Sequence, residues 1–103
     1  MAKIAGGEVN ASITAENTFS DALMMAAGAF NFSLSGTWTA TVHVQRRYEP
    51  TGDWMDIDSF TSNGEYPGDE PESDTEYRFG IKTGNISAGT VVGRLSRGGV
   101  KNI

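Results

Sequence analysis

Six carboxylates between residues 63 and 76 form the densest set of potential metal ligands in this sequence. They are Glu65, Asp69, Glu70, Glu72, Asp74 and Glu76. Acidic loops supply the oxygen ligands that Ca²⁺ prefers, but this spacing matches no known calcium loop. Pro67 and Pro71 also restrict how the carboxylates converge. We therefore predict a long, solvated acidic loop over residues 63–76 and no metal site, noting that loops of this length are usually functional or mobile.

Two other patterns have the residue types for catalysis. His43 is the single histidine, and a hydrolase built on it needs a nucleophile and an orienting carboxylate, which no neighbouring pattern supplies. Asp56 and Asp58 share one face of a predicted strand, where a glycosidase-type pair is conceivable. A solvent-facing row that discourages strand-edge pairing is the favoured interpretation. We predict no catalytic residue, no cofactor and no enzymatic activity.

The stretch "SGTWTATVHVQRRYEPTGDW", residues 35–54, carries the clearest structural signal. Side chains alternate between the two faces of a strand, and here apolar and polar residues alternate. The residues predicted to face a core are Trp38, Ala40, Val42, Val44 and Tyr48. The residues predicted to face outward are Thr37, Thr39, Thr41, His43, Gln45 and Arg47. The pattern predicts one long antiparallel strand, followed by a hairpin at Pro50 and Gly52.

Four further segments read as shorter strands: "FNFSLS", "WMDIDSFTS", "EYRFGIKTG" and "GTVVGRLSR". We expect a turn at "SG" between "FNFSLS" and the long strand. In "WMDIDSFTS" the apolar residues fall on both faces of the strand, and a β-bulge or an edge position would explain this. "SDALMMAAG" fits one helical turn or a strand with Leu23 and Met25 inward, and the strand is favoured. The predicted fold is all-β, a small antiparallel β-sandwich or jelly-roll-like barrel with a flexible N-terminal arm.

The length of 103 residues suits one domain. We predict an N-terminal arm over residues 1–10, a single β-sandwich domain over 11–97 and a C-terminal tail over 98–103. Ile4, Val9, Val100 and Ile103 are apolar residues in glycine-rich segments that offer no local core, so both ends are expected to order against a partner. The terminal residues predicted to bind that partner are Ala2, Lys3, Ile4, Ala5, Val100, Lys101 and Ile103.

Charge and composition argue against nucleic-acid binding, membrane insertion and disulfide or thiolate chemistry. The formal net charge is −5, from 8 Lys and Arg against 13 Asp and Glu, which argues against nucleic acid because phosphate binding draws on clustered cations. No apolar run approaches the roughly 20 residues that cross a bilayer, and "MAKIAGGEVN" is no signal peptide. The absence of cysteine excludes disulfides and thiolate metal sites. We expect no nucleic-acid partner, no membrane partner and synthesis in a cytoplasm.

Two surface features have open interpretations. The basic residues Arg46, Arg47, Arg94, Arg97 and Lys101 either face an acidic partner or serve solubility alone. If Trp54, beside the hairpin, is exposed, its ring suits stacking on a sugar. The favoured interpretation is that Trp38 and Trp54 both pack in the core or at its rim.

The run from "FNFSLSGTWTATVHVQRRYEPTGDW" through "TSNGEYPGDEPESDTEYRFGIKTG" to "SAGTVVGRLSR", residues 30–97, resembles a small β-domain found in virion structural proteins of tailed bacteriophages. The resemblance implies a capsid decoration (cement) protein on the virion surface, assembled in the host cytoplasm. It would bind the major capsid protein, staple neighbouring capsid subunits and form a homo-oligomer, a dimer or trimer. The alternative it leaves open is a tail or tail-fibre module, with or without glycan binding.

The threonine row offers a specific contact surface for such a partner. Thr37, Thr39 and Thr41 form a face that is polar without being charged, whereas a face meant only for water more often carries Lys and Glu. Threonine loses little side-chain entropy on docking and offers hydroxyls for pairing. We predict that this face meets another protein subunit; a simple solvent-exposed sheet face is the alternative.

Overall fold

The chain folds into two antiparallel sheets packed face to face. The computed structural model describes residues 7–25, 27–48 and 52–97, and these ranges form nine strands. The strands are β1 (Glu8–Ile13), β2 (Thr18–Phe19), β3 (Leu23–Met25), β4 (Gly28–Ala40), β5 (Val42–Tyr48), β6 (Met55–Phe60), β7 (Gly64–Glu70), β8 (Thr75–Ile81) and β9 (Ile86–Arg97). Sheet A has the order β1-β9-β4-β7, and sheet B has the order β2-β8-β5-β6 with β3 also paired to β8. The prediction of an all-β antiparallel sandwich is confirmed.

The core lies between the sheets and follows the alternation seen in the sequence. Phe32 from β4 and Phe79 from β8 meet at its centre with ring centroids 5.0 Å apart. Around them pack the inward side chains of both sheets: Ile13, Leu23, Met25, Leu34, Val42, Val44, Tyr77, Ile81, Val91 and Leu95. The buried side chains come from both sheets, so burial of apolar area is the main force that holds the sheets together.

The predicted long strand is in fact two strands in different sheets. β4 ends at Ala40 in sheet A and β5 begins at Val42 in sheet B, with only Thr41 between them. The Thr41 N–H donates to the Asn85 carbonyl oxygen at 2.8 Å, which holds this corner. The alternation of polar and apolar residues continues through the corner, because both strands face the same core, and so the pattern does not reveal it. The expected turn at "SG" is also wrong, since β4 runs through Gly36 without interruption.

The structure shows how β5 pairs with β6 and which conformation the segments "WMDIDSFTS" and "SDALMMAAG" adopt. β5 and β6 pair antiparallel as predicted, and their register shifts so that Ile57 is an extra residue on β6. β6 is also the edge strand of sheet B, so the bulge and the edge position both account for its mixed parity. The segment "SDALMMAAG" contributes a strand rather than a helical turn, with Leu23 and Met25 buried and Met24 exposed.

Three boundaries and orientations differ from prediction. The expected acidic loop 63–76 is mostly strand, because β7 spans Gly64–Glu70 and β8 starts at Thr75, which leaves only residues 71–74 as a turn. The expected arm 1–10 overlaps β1, which starts at Glu8 and pairs with β9. Gln45 is buried and Tyr48 is exposed, although parity predicts Gln45 to face solvent and Tyr48 to face the core. Gln45 is covered by neighbours on the outside of sheet B, and Tyr48 ends its strand.

The terminal residues predicted to bind a partner lie outside the described part of the chain. They are Ala2, Lys3, Ile4, Ala5, Val100, Lys101 and Ile103. Within the described ranges, no helix has the length and apolar character needed to span a membrane.

Candidate functional site

The outer face of sheet A is a four-stranded surface, and we call it the Ser/Thr face. Its side chains alternate with the buried residues of the same four strands. They are Glu8, Asn10 and Ser12 on β1; Ala88, Thr90, Val92, Arg94 and Ser96 on β9; Asn31, Ser33, Ser35, Thr37 and Thr39 on β4; and Glu65, Pro67 and Asp69 on β7. Strand register places these residues side by side, with Thr37 opposite Thr90 and Ser35 opposite Val92. Most of them are small, uncharged and polar.

Of the four charged residues on the Ser/Thr face, Glu8 and Arg94 neutralise each other, Glu65 is held by neutral hydrogen-bond donors, and Asp69 has no salt bridge among the described residues. Arg94 Nη2 lies 2.9 Å from Glu8 Oε1. Glu65 Oε1 accepts hydrogen bonds of 2.7 Å from both Asn31 Nδ2 and Ser33 Oγ. The hydrogen bond from Arg94 lowers the pKa of Glu8, and the hydrogen bonds from Ser33 and Asn31 lower the pKa of Glu65. Both carboxylates therefore keep their partners near neutral pH, and the face presents few charges that a partner would have to desolvate.

The structure separates the three threonines that the sequence grouped. Thr37 and Thr39 are exposed on β4 and belong to the Ser/Thr face. Thr41 is half-buried at the corner between the sheets, so its assignment to the same strand face is wrong. Thr39 and Thr41 do line a shallow polar depression of about 480 Å³ at this corner, together with Trp38 and Asn85.

Neither tryptophan stands free at the surface. Trp38 is half-buried, and its Nε1–H lies within hydrogen-bond distance of the Ser35 carbonyl at 3.1 Å and Asn63 Oδ1 at 2.8 Å. Trp54 is also half-buried, and two arginine guanidiniums, those of Arg47 and Arg78, lie over its ring at 4.4 and 4.5 Å from the centroid. Trp38 packs against the rim of the core, as predicted, whereas Trp54 lies on the outer face of sheet B beneath the two arginines.

The predicted basic cluster is divided among three places. Arg46 points between the sheets and pairs with Glu70, Arg47 pairs with Glu76 on the outside of sheet B, and Arg94 pairs with Glu8 on the Ser/Thr face. Three of the five basic residues are thus paired within the domain, while Arg97 forms no salt bridge in the described ranges and Lys101 lies outside them.

The candidate chemical residues are not assembled into a reactive site in the described part of the chain. His43 is half-buried with its Nδ1 enclosed and without a hydrogen-bond partner there. Asp58 Oδ1 accepts the Ser59 N–H at 2.8 Å, and Asp56 Oδ2 lies 2.6 Å from Lys82 Nζ. Among the residues described, no three acidic or histidine side chains converge as metal ligands would.

Sequence reasoning missed one buried ion pair, Arg46 with Glu70. A usable signal existed, because Arg46 shares its strand parity with the core residues Val42 and Val44. Glu70 has no comparable signal: its acidic neighbours make it look solvated, although its side chain is 1% exposed.

The two ends of the described chain lie together. The Arg97 N–H donates to the Gly7 carbonyl oxygen at 3.0 Å, at the end of sheet A where β1 begins and β9 ends. Gly7 and Arg97, the first and last described residues, therefore lie at one corner of sheet A.

Comparison with known proteins adds a fold relationship. Neither a protein-family model nor a curated protein matches the sequence. Among solved structures, the chain is similar to PliG from Aeromonas hydrophila, a periplasmic lysozyme inhibitor of g-type lysozyme, with a TM-score of 0.54 and 16% sequence identity. The alignment covers 94% of this chain and 88% of PliG. This similarity supports the β-sandwich architecture and extends over nearly the whole domain.

Proposed function

We propose that this protein is a protein-binding domain of a phage particle, a decoration (cement) protein that binds the outside of the capsid and staples neighbouring major capsid protein subunits. The observation that carries the proposal is the Ser/Thr face, a broad and weakly charged sheet surface with Gly7 and Arg97 at one corner. The sequence resemblance over residues 30–97 is the reason for proposing a phage particle as the location and the major capsid protein as the partner. The protein acts by contact and performs no chemistry.

The composition of the Ser/Thr face suits a contact surface. The cores of protein interfaces are depleted in charged residues, and here the charges of Glu8, Arg94 and Glu65 are engaged with neighbours on the same sheet. Serine and threonine lose little rotamer entropy when they are buried. A stable specific interface covers about 800 Å² on each partner, an area that a four-stranded sheet face can supply.

The terminal segments extend the same contact. Ala2, Lys3, Ile4 and Ala5 precede Gly7, while Val100, Lys101 and Ile103 follow Arg97. Because Gly7 and Arg97 are adjacent, docking of the Ser/Thr face brings both segments to the same region of the shell. Their binding then becomes intramolecular, which raises their effective concentration. The proposal includes self-association as a dimer or trimer on the capsid surface.

Reconstitution on capsids tests this function. Purified protein is added to capsids of the parent phage that lack it, and bound copies are counted after sedimentation and located by cryo-electron microscopy. We expect regular occupancy on the outer shell and a raised capsid melting temperature, since a ligand that binds only the assembled state stabilises it by mass action. Density on the tail with bare capsids would support the alternative, a tail or fibre module, and a glycan array would then test sugar binding.

A second candidate function rests on the shared fold with PliG. An inhibitor of a lysozyme-like enzyme also works through contact surfaces without catalysis of its own. The test is a turbidity assay in which g-type lysozyme lyses bacterial cell walls with increasing amounts of this protein. Stoichiometric inhibition, together with no binding to capsids, would replace the capsid proposal with this one.

A further inference from the structure

The outer face of sheet B holds an arginine whose side chain is fixed from several sides. Arg78 on β8 is half-buried, and its guanidinium carbon lies 4.1 Å from the Phe19 ring centroid and 4.5 Å from the Trp54 ring centroid. Its Nε–H donates to Gln45 Oε1 at 2.8 Å. Two aromatic contacts and one hydrogen bond restrict the rotamers of a side chain that is usually mobile.

The acceptor for Arg78 is itself oriented by a chain of polar contacts. Gln45 is buried at 7% exposure, and its Nε2 donates to Asp56 Oδ1 at 2.9 Å. Asp56 Oδ2 accepts from Lys82 Nζ at 2.6 Å. Because the Gln45 amide nitrogen is directed at Asp56, its amide oxygen is directed at Arg78. The order Lys82–Asp56–Gln45–Arg78 therefore fixes one edge of the guanidinium.

The outer edge of the same guanidinium has no partner among the described residues. Arg46, Arg47, Lys82 and Arg94 each form a salt bridge. Arg78 has no carboxylate within 4.0 Å in those ranges, and its Nη nitrogens have no acceptor there. Burial and the nearby Arg47 guanidinium lower the pKa of Arg78, which agrees with the absence of a carboxylate beside it in the described ranges.

We propose that Arg78 anchors a second binding site, on the outer face of sheet B, which takes the carboxylate of an Asp or Glu side chain on a protein partner. A guanidinium edge with two Nη donors matches the two oxygens of a carboxylate. One uncompensated cation matches one carboxylate, whereas a polyanion would meet the nearby Asp56 and Glu76 and a chain of net charge −5. Arginine and tryptophan are also both enriched at the energetic centres of protein interfaces.

The site lies on the opposite side of the sandwich from the Ser/Thr face, so it goes beyond the proposed function. A domain that binds on both sides can bridge two subunits, and this requires no change in its own structure.

A titration of the ¹⁵N-labelled protein tests the site. The probes are a blocked Gly-Glu-Gly peptide, a blocked Gly-Gln-Gly peptide and inorganic phosphate, all at constant ionic strength, and the signals are the Arg78 Nε–H and Trp54 Nε1–H cross-peaks. We expect saturable shifts of both signals with the Glu peptide only, with a dissociation constant of roughly 1–100 mM for one charge-assisted contact. Equal shifts with the Gln peptide, or tighter binding of phosphate, would overturn the carboxylate assignment.

Two variants provide a matched comparison. Arg78→Gln removes the guanidinium and should abolish the saturable shift of the Trp54 signal. Arg94→Gln removes an exposed arginine from the other sheet, where it pairs with Glu8, and should leave the Trp54 titration unchanged. If Arg78→Gln disturbs the fold, the wild-type comparison of Glu and Gln peptides still decides the question. Failure of capsid binding with retained Glu-peptide binding would remove the proposed function and keep this site.

Discussion

Arg46 and Glu70 form a two-point ion pair that joins the two sheets through the interior of the sandwich. Arg46 on β5 donates from Nε to Glu70 Oε1 at 2.8 Å and from Nη2 to Oε2 at 3.1 Å. Tyr77 Oη donates to Oε1 at 2.6 Å, and the Glu72 N–H donates to Oε2 at 2.9 Å. Four hydrogen bonds thus compensate a carboxylate that is almost completely buried, which is the condition for a buried charge to be tolerated.

The first prediction concerns removal of that charge. Glu70→Gln should lower the free energy of unfolding by about 3 kcal/mol, because it leaves the Arg46 guanidinium without its anion. Urea unfolding followed by tryptophan fluorescence measures the change. The control is Glu72→Gln, since Glu72 lies 3.6 Å from the same Arg46 but is 53% exposed, and should cost less than about 1 kcal/mol. Equal losses in both variants would contradict a special role for the buried pair.

The second prediction follows from the titration of Glu70. Burial alone would raise the pKa of Glu70, but the hydrogen bonds from Arg46, Tyr77 and the Glu72 backbone outweigh it and lower the pKa from 4.5 to about 2. A carboxyl whose pKa is depressed by folding stabilises the protein above its unfolded pKa. This stabilisation, about 3 kcal/mol, is lost as the pH falls from about 4.5 toward 2.

Urea unfolding of the wild type and of Glu70→Gln at pH 6 and at pH 2.5 measures this dependence. The difference in unfolding free energy between the two proteins should shrink at the lower pH, because only the wild type loses the Glu70 contribution there, while the other carboxyls titrate in both proteins and cancel. A difference that stays constant with pH would show that Glu70 is not the titrating group.

The third prediction tests the Ser/Thr face. The double substitution Thr37→Lys and Thr39→Lys should leave the isolated domain folded, because both positions are exposed. It should reduce capsid occupancy at least tenfold, since two cations would have to be desolvated at the contact. The measurement is sedimentation of labelled protein with capsids at two salt concentrations.

The matched control for this face is Thr83→Lys, a similarly exposed threonine in the turn between β8 and β9. It should bind capsids as the wild type does. If the double variant also binds with unchanged affinity, the Ser/Thr face is only a hydrated surface.

The fourth prediction concerns a close approach between the sheets. An added Cβ at Gly93 on β9 would lie 2.3 Å from Cε2 of Phe79 on β8, so Gly93→Ala should destabilise the domain by about 1–3 kcal/mol through overpacking. Thermal unfolding measures the loss. The variant Phe79→Leu provides a double-mutant cycle, in which the cost of Gly93→Ala should be smaller; purely additive costs would assign the effect to the strand backbone instead.

The sequence identified the strands that alternate clearly, but it missed β1 and β7 and did not allocate any strand to a sheet. Alternation identified the inward Val42, Val44, Leu23 and Met25 because burial on one face imposes a period of two. The same alternation concealed the corner at Thr41, since a chain that crosses between two sheets around one core keeps its inward parity. Which strands pair is decided by contacts far apart along the chain, and a local pattern carries no record of them.

For the candidate sites too, a local sequence pattern predicts exposure but not which residues come together. Thr37 and Thr39 were placed correctly at the surface by parity, whereas the environment of Arg78 depends on Phe19, Gln45 and Trp54, which reach it from three other segments. A residue's type gives the chemistry available to it. Its partners are fixed only when distant strands come together.

The adjacency of Gly7 and Arg97 has a consequence for protein engineering. After removal of residues 1–6 and 98–103, Gly7 and Arg97 can be joined by a short linker, and new ends can be opened at an exposed turn. A circular permutant of this kind should fold to the same sandwich. For the same reason the domain can be inserted into a surface loop of another protein, because its two connections enter and leave at one point.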